Sequence, residues 1–124
     1  MKKFRILIVD DFGSYRTLFK KTLRISFPSI AIDEATNGSE ALQKVEAFLP
    51  DLIFMDIRLP GESGLTLTQK IKATHPNITI LILTAYDIPE YREAAPKYGA
   101  DRFLAKNSLN YMELKELVKS YQKV

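Results

Sequence analysis

The chain contains no cysteine. That excludes a disulfide framework, thiolate zinc sites and thiol nucleophiles, fits a reducing compartment, and leaves any metal to oxygen or nitrogen ligands. Long apolar runs are also missing. No stretch approaches the roughly 18 uninterrupted apolar residues that span a bilayer, so the protein is expected to be soluble, cytoplasmic and without a membrane partner. Met1-Lys2-Lys3-Phe4 superficially looks like the start of a signal peptide, but the apolar run Ile6 to Val9 is too short and ends in Asp10-Asp11. It reads as a first strand. Charge of one sign is gathered nowhere: 18 Lys and Arg against 15 Asp and Glu leave a net +3, with the bases scattered. Lys20, Lys21 and Arg24 lie together on a predicted helix, where such a cluster reads as a solvated face, and no direct nucleic-acid binding is expected of this domain. The single histidine, His75, stands before Pro76 at a predicted helix end and has no nucleophile to serve.

What is present is a β/α alternation. At 124 residues and 46% hydrophobic content the chain can fill one core, and residues 1–124 are expected to form a single domain without internal repeats or linkers. Short apolar runs alternate five times with stretches of helical period. Ile6 to Val9 precedes a helix with Tyr15, Leu18, Phe19, Thr22 and Leu23 on its periodic face, which Pro28 stops. Ile30 and Ile32 mark a half-exposed strand. Asn37-Gly38-Ser39 then opens a helix carrying Ala41, Leu42, Val45 and Phe48. Leu52 to Met55 is wholly apolar and leads through the loop Asp56 to Ser63 into a helix from about Gly64 to His75. Ile78 to Leu83 is the longest apolar strand, and the next helix opens with Pro89 in its first turn and ends before Gly99. Pro96 should shorten or kink it. Arg102-Phe103-Leu104 is the last strand, and Asn110 and Glu113 are placed as a capping pair for the last helix. Wholly apolar strands are those of a parallel sheet covered on both faces, so the expected fold is α/β, a doubly wound five-stranded parallel sheet of order 2-1-3-4-5, flavodoxin-like.

Ligands in such folds bind beyond the carboxyl ends of the strands. There the sequence puts Asp10-Asp11 after the first strand, Asp56 after the third, Thr84-Ala85 at the end of the fourth and Lys106 after the fifth. Two like charges about 4 Å apart repel by roughly 4 kcal/mol at an effective dielectric near 20, so three clustered carboxylates call for a counter-charge. Mg²⁺ suits an all-oxygen site of carboxylates and phosphate oxygens, and Lys106 adds a second positive charge. With such neutralisation a carboxylate can attack phosphorus and form an aspartyl phosphate. Asp56 is the natural acceptor, because it directly follows the central strand and opens a loop with Pro60 and Gly61. Asp10 and Asp11 suit metal holding, while Thr84 and Lys106 can each meet a phosphoryl oxygen. Taken singly, Asp10-Asp11 could cap a helix, Thr84 could be an ordinary strand residue and Lys106 a surface lysine. Jointly they are a site.

Asp10-Asp11, Asp56 with Pro60-Gly61 and Gly64, Leu83-Thr84-Ala85, Gly99-Ala100-Asp101 and Lys106 together resemble the receiver domain of two-component response regulators, across essentially the whole chain. The resemblance implies a regulatory phosphoacceptor rather than a conventional enzyme, one that assists its own phosphorylation and dephosphorylation. Asp56 would accept the phosphoryl group from a sensor histidine kinase or a histidine phosphotransfer protein. Mg²⁺ would be held by Asp11, Asp56 and the backbone carbonyl of Arg58, with Asp10 acting through water. Thr84 would shift toward the phosphoryl group and Phe103 would turn inward behind it, remodelling the face of the fourth helix, fifth strand and fifth helix for an output protein or domain. A phosphorylation-dependent homodimer using Tyr91, Tyr98 and Tyr111 is one form of that output.

Besides Pro96, two features depart from the commonest pattern of such domains. Asn107 follows Lys106 where proline is frequent, as in some receivers attached to helix-turn-helix domains. Bulky Tyr86, two residues after Thr84, is placed to shield an acyl phosphate from water and slow its loss. Other functions fit less well. A phosphorylation-independent pseudo-receiver does not need the complete acid set. Phosphohydrolases using an aspartyl phosphate resemble an Asp-x-Asp arrangement after the first strand. A flavin carrier needs a Gly/Ser/Thr-rich loop where this chain has Asp10-Asp11-Phe12-Gly13.

Overall fold

The computed structural model describes residues 3–122, so Met1 and Lys2 of the signal-like start lie outside the described residues. Five strands and five helices alternate along the chain: β1 (Arg5–Val9), α1 (Gly13–Ser26), β2 (Ala31–Ala35), α2 (Gly38–Phe48), β3 (Leu52–Met55), α3 (Gly64–Thr74), β4 (Thr79–Thr84), α4 (Pro89–Lys97), β5 (Arg102–Ala105) and α5 (Tyr111–Gln122). All neighbouring strands are parallel and the order is β2-β1-β3-β4-β5, as the alternation predicts.

Side chains alternate across the sheet with a period of two, and this divides the apolar residues of each strand between two cores. Leu7, Val9, Ile53, Met55, Ile80 and Ile82 face one way and pack with Ala41 and Val45 of α2, Leu67 and Ile71 of α3 and Ala95 of α4. Ile6, Ile8, Leu52, Phe54, Leu81 and Leu83 face the other way, against Phe19 and Leu23 of α1 and Leu114 and Val118 of α5. Burial on both faces is why these strands have no polar alternation. β2 is the exception expected of an edge strand, half-exposed at every position except Ala35.

Helix ends follow the local chemistry. Asn37 caps α2 by accepting the Glu40 amide at 2.9 Å, Ser63 caps α3 through the Leu65 amide, and Asn110 and Glu113 make the reciprocal pair at the start of α5. Pro96 lies within the last turn of α4, which is only nine residues long and ends at Lys97. The chain then turns through Gly99, at φ +100°, where the Ala100 amide reaches back to the Ala95 carbonyl.

The site end of the sheet is fixed by backbone. Beyond the strands proper, the Asp10 amide donates to Ala35 O (3.0 Å), the Asp56 amide to Val9 O (2.9 Å) and the Lys106 amide to Thr84 O (2.8 Å). The ladder thus runs one residue past β1, β3 and β5, and places three charged side chains from distant parts of the sequence at one level.

Candidate functional site: an acidic cluster at the carboxyl edge of the sheet

Asp10, Asp11 and Asp56 each offer a carboxylate oxygen, and these oxygens lie within 4.8 Å of one another. Asp10 and Asp56 are almost covered, at 3% and 7% exposure, whereas Asp11 is open to solvent. The Lys106 ammonium enters between the two buried acids, 2.6 Å from Asp10 Oδ2 and 3.3 Å from Asp56 Oδ2. The remaining oxygens have work as well. Asp10 Oδ1 accepts the Phe12 amide (2.9 Å) and Asp56 Oδ1 accepts the Ile57 amide (2.8 Å). The helix-capping reading of the acids therefore holds only in part: Asp10 bonds the backbone at the entry to α1, but Phe12 is the N-cap residue and no side chain caps the helix.

Burial pushes the Asp56 carboxyl above the ordinary value of 3.8; the Lys106 charge opposes that rise and the Asp10 charge adds to it. Thr84 is fully buried at the end of β4, and its hydroxyl accepts the Tyr86 amide at 3.2 Å. The same hydroxyl also acts on Asp56, helping to lower its carboxyl against the effect of burial, and so lies within reach of a group arriving there. The donor set suits a hard divalent cation: all three acids offer oxygen, two are nearly dry, and a cationic side chain already sits against them.

Two glycines build the loop after Asp56. Gly61 adopts φ +87°, and Gly64 is required by space, since a Cβ there would stand 1.8 Å from the Asp56 carbonyl oxygen. The Gly64 amide donates to Ile57 O at 2.7 Å, folding the start of α3 tightly against Asp56.

The rim comprises Arg58, Tyr86 and Tyr91. The Arg58 guanidinium lies 3.5 Å from the Tyr86 ring centroid and donates from Nε to the Tyr91 hydroxyl at 3.3 Å, so the loops after β3 and β4 are clasped together. Tyr86 is 41% exposed. Phe103 on β5 is half-buried, packed toward the α2-α3-α4 core, with the Arg92 guanidinium 4.8 Å from its centroid and Arg92 paired to Asp87. Of the three tyrosines named as an output surface, Tyr91 and Tyr98 pack on that same side, whereas the Tyr111 hydroxyl bonds Ser26 of α1. Lys20, from the basic cluster on α1, is paired with Glu34, whose carboxyl is held below its usual range first by that bond and against the effect of burial.

The structure thus brings Asp10, Asp11, Asp56, Thr84 and Lys106 to one end of the sheet, puts Tyr86 at the rim and leaves Phe103 on the neighbouring face. Sequence reasoning used only the backbone of Arg58 and missed its side chain, and it read Tyr15 as a core position alone. Yet the Tyr15 ring faces the Lys106 ammonium at 4.1 Å. Its place four residues after Asp11, in the first turn of α1, was the available signal.

Comparison with known proteins settles the family. Residues 6–119 match the family model described as the response regulator receiver domain. The chain belongs to that family. It is 41% identical over 105 residues to the oxygen regulatory protein NreC of Staphylococcus carnosus and 40% identical to NreC of Staphylococcus haemolyticus. The alignment covers 84% of this chain and 48% of each relative, so the chain spans about half the length of the curated relatives it matches. Among solved structures, it is similar to a receiver domain protein of Methanospirillum hungatei, with a TM-score of 0.88, 28% identity and 98% and 96% coverage of the two chains. It is also similar to the response regulator TrrA of Thermotoga maritima, solved in complex with Mg²⁺ and BeF, with a TM-score of 0.84, 40% identity and 95% and 98% coverage. The receiver fold and a place in two-component signalling follow.

Proposed function

We propose that this receiver, taken as one unit over residues 1–124, works in the cytoplasm as a Mg²⁺-dependent phosphoacceptor with Asp56 as the acceptor. The observation that supports this most directly is the meeting of Asp10, Asp11 and Lys106 around the buried Asp56 carboxylate. An Asp56 oxygen would bond to the phosphorus of a phosphohistidine on a sensor kinase or phosphotransfer protein. The phosphorus–nitrogen bond breaks and the imidazole nitrogen keeps its electron pair, then takes a proton. Asp11, Asp56, the Arg58 carbonyl and, through water, Asp10 would hold Mg²⁺, which supplies charge neutralisation for the incoming phosphoryl oxygens. Lys106 supplies a point charge to one of those oxygens and Thr84 a hydroxyl to another. TrrA, 40% identical to this chain, was solved with Mg²⁺ and BeF, which supports the reading.

Thr84 and Phe103 lie on adjacent strands, β4 and β5, with Thr84 opposite Ala105 and Phe103 two residues before it. A pull on the Thr84 hydroxyl would therefore be felt beside the Phe103 ring and under the Arg92–Asp87 pair that overlies it. We read this face of α4, β5 and α5 as the surface presented to an output protein or domain, or to a second receiver.

Incubation with acetyl phosphate followed by intact-mass measurement tests the acceptor. A Mg²⁺-dependent, alkali-labile adduct is expected in the wild type and none in Asp56→Asn. An adduct that survives in Asp56→Asn would move the acceptor elsewhere, and no adduct from either a small donor or a cognate kinase would favour a phosphorylation-independent interaction module.

Tyr86 provides a second test of the same site. Its ring, exposed and steadied by Arg58, follows Thr84 by two residues, a place from which it would shield a phosphoryl group on Asp56 from water. Tyr86→Ala is expected to speed loss of the phosphoryl group several-fold, about what one water-excluding contact of roughly 1 kcal/mol would give. An unchanged or slower rate would show that the ring does not shield the acyl phosphate.

A further inference from the structure

Lys106 is held at three points. Two are the carboxylates of Asp10 and Asp56, and the third is the face of Tyr15, whose ring centroid is 4.1 Å from the ammonium nitrogen. That ring is braced from behind: it stacks on Phe19 at 5.7 Å, and Phe19 in turn meets Phe54 of the central strand edge-on at 4.9 Å. The line from Phe54 through Phe19 and Tyr15 to Lys106 is therefore a rigid aromatic support that starts in the core and ends at the charge. On its outer side the support borders an open cavity of about 260 Å³ between α1 and α5, lined by Tyr15, Leu18, Lys106 and Tyr111 among others. A lysine on a flexible four-carbon stem can swing toward such an opening unless something holds its head.

The three holds are not equivalent. A cation in the acid cluster competes with Lys106 for the oxygens of Asp10 and Asp56, and a phosphoryl group competes with those oxygens for the ammonium. The Tyr15 ring has no part in that competition, because its attraction for the ammonium comes from the quadrupole of the ring face. Burial, then the charges of Asp10 and Asp56, push the Tyr15 hydroxyl up to about 12, so the ring stays neutral throughout the physiological range.

We propose that Tyr15 is a positioning residue of the phosphoryl-transfer site, its ring face holding the Lys106 ammonium against the gap between Asp10 and Asp56. This rests on the phosphoacceptor reading above, and it assigns Tyr15 no contact with the phosphoryl group. The ring is the essential part, so Phe should replace it and an aliphatic residue should not.

The test has one readout that needs no phosphorylation. In ¹⁵N-labelled, metal-free protein the lysine ammonium resonances are recorded, and that of Lys106 is identified by its loss in Lys106→Ala. The aromatic face over Lys106 should move its signal upfield, an effect kept in Tyr15→Phe and lost in Tyr15→Leu. The second readout is the rate of adduct formation at Asp56 with acetyl phosphate and Mg²⁺. Tyr15→Leu is expected to slow it about tenfold and Tyr15→Phe by no more than about twofold, the range of one largely desolvated cation–π contact. In the Lys106→Ala background, Tyr15→Leu should cause no further loss, because the ring acts through the lysine. An unshifted Lys106 signal in Tyr15→Leu relative to wild type, an unchanged rate, or an equal loss with and without Lys106 would each overturn the proposal. If the wild type forms no adduct, the phosphoacceptor reading fails and the positioning role falls with it, while the ammonium spectrum still decides whether the ring holds the lysine.

Discussion

Gly64→Ala is expected to destabilise the fold by about 3 kcal/mol or more, at the upper end of what overpacking costs. In a domain of this length that corresponds to a fall in Tm on the order of 10 °C. The reason is local and severe. The added Cβ would lie 1.8 Å from the Asp56 carbonyl oxygen, 2.8 Å from its carbon and 3.0 Å from the Ile57 Cα, and all three are backbone atoms with no side-chain torsion to absorb the clash. The loop must open, and the Gly64 amide then loses its 2.7 Å bond to Ile57 O. Because the displaced carbonyl belongs to Asp56 itself, phosphoryl acceptance should suffer beyond the loss of stability. A shift of about 1 Å in a reacting group can cost on the order of a hundredfold in rate. Gly61→Ala is the control. Gly61 has positive φ, but a Cβ added there would meet no atom within 4 Å, so only the left-handed backbone is penalised, by roughly 1–2 kcal/mol. Urea unfolding of both variants checks this, and a Gly64→Ala no less stable than Gly61→Ala would show that the loop yields freely.

The sequence carried the fold because each level agreed with the next. Both-face burial made Ile6 to Val9, Leu52 to Met55 and Ile78 to Leu83 uniformly apolar but for Thr79, and Asn37, Ser63 and Asn110 gave local starts to three helices. The acid site was legible for the same reason. A parallel sheet puts the carboxyl ends of its strands at one edge, so residues at strand ends need no contact information to be brought together. What stayed hidden depends on side-chain direction. Arg58 follows Asp56 by two residues, but its stacking on Tyr86 depends on how two loops approach each other, which no local pattern records. Tyr15 fits the helical apolar face as well as any residue there, and only the packing of α1 against the sheet turns its ring toward Lys106. Leu49 is a further case: it ends α2 at φ 51°, a conformation in which glycine or asparagine is the usual sequence signal.

Lys106→Met should be the other strongly destabilising change, with a dependence on pH and on Mg²⁺ that a packing defect would not show. The lysine side chain is 11% exposed and its partner Asp10 4%. Removing one member of a buried ion pair typically costs about 3–5 kcal/mol, because the other charge is left uncompensated. Here two acids lose their cation at once, and Asp56 can relieve the cost by taking a proton. Burial already raises its folded-state pKa above the ordinary 3.8, and loss of Lys106 removes the influence that opposes the rise. A group whose pKa is raised by folding binds its proton more tightly in the native state. Its stabilising contribution is complete below the ordinary value and is lost as pH rises through the raised one. Lys106→Met should therefore lie closest to wild type in acid and fall away toward neutral pH. Asp56→Asn, which removes the charge permanently, should raise the Tm of the metal-free protein at neutral pH and recover much of the loss when combined with Lys106→Met. Mg²⁺ in the cluster would substitute for the missing ammonium, stabilising Lys106→Met by about 1.4 kcal/mol at ten times its dissociation constant and raising its Tm more than that of Asp56→Asn. Thermal unfolding of the three variants across pH, with and without Mg²⁺, measures all of this. A deficit in Lys106→Met that is constant with pH and unmoved by Mg²⁺ would mean that the lysine stabilises the fold by its packed stem, and that its charge does not hold the acids together.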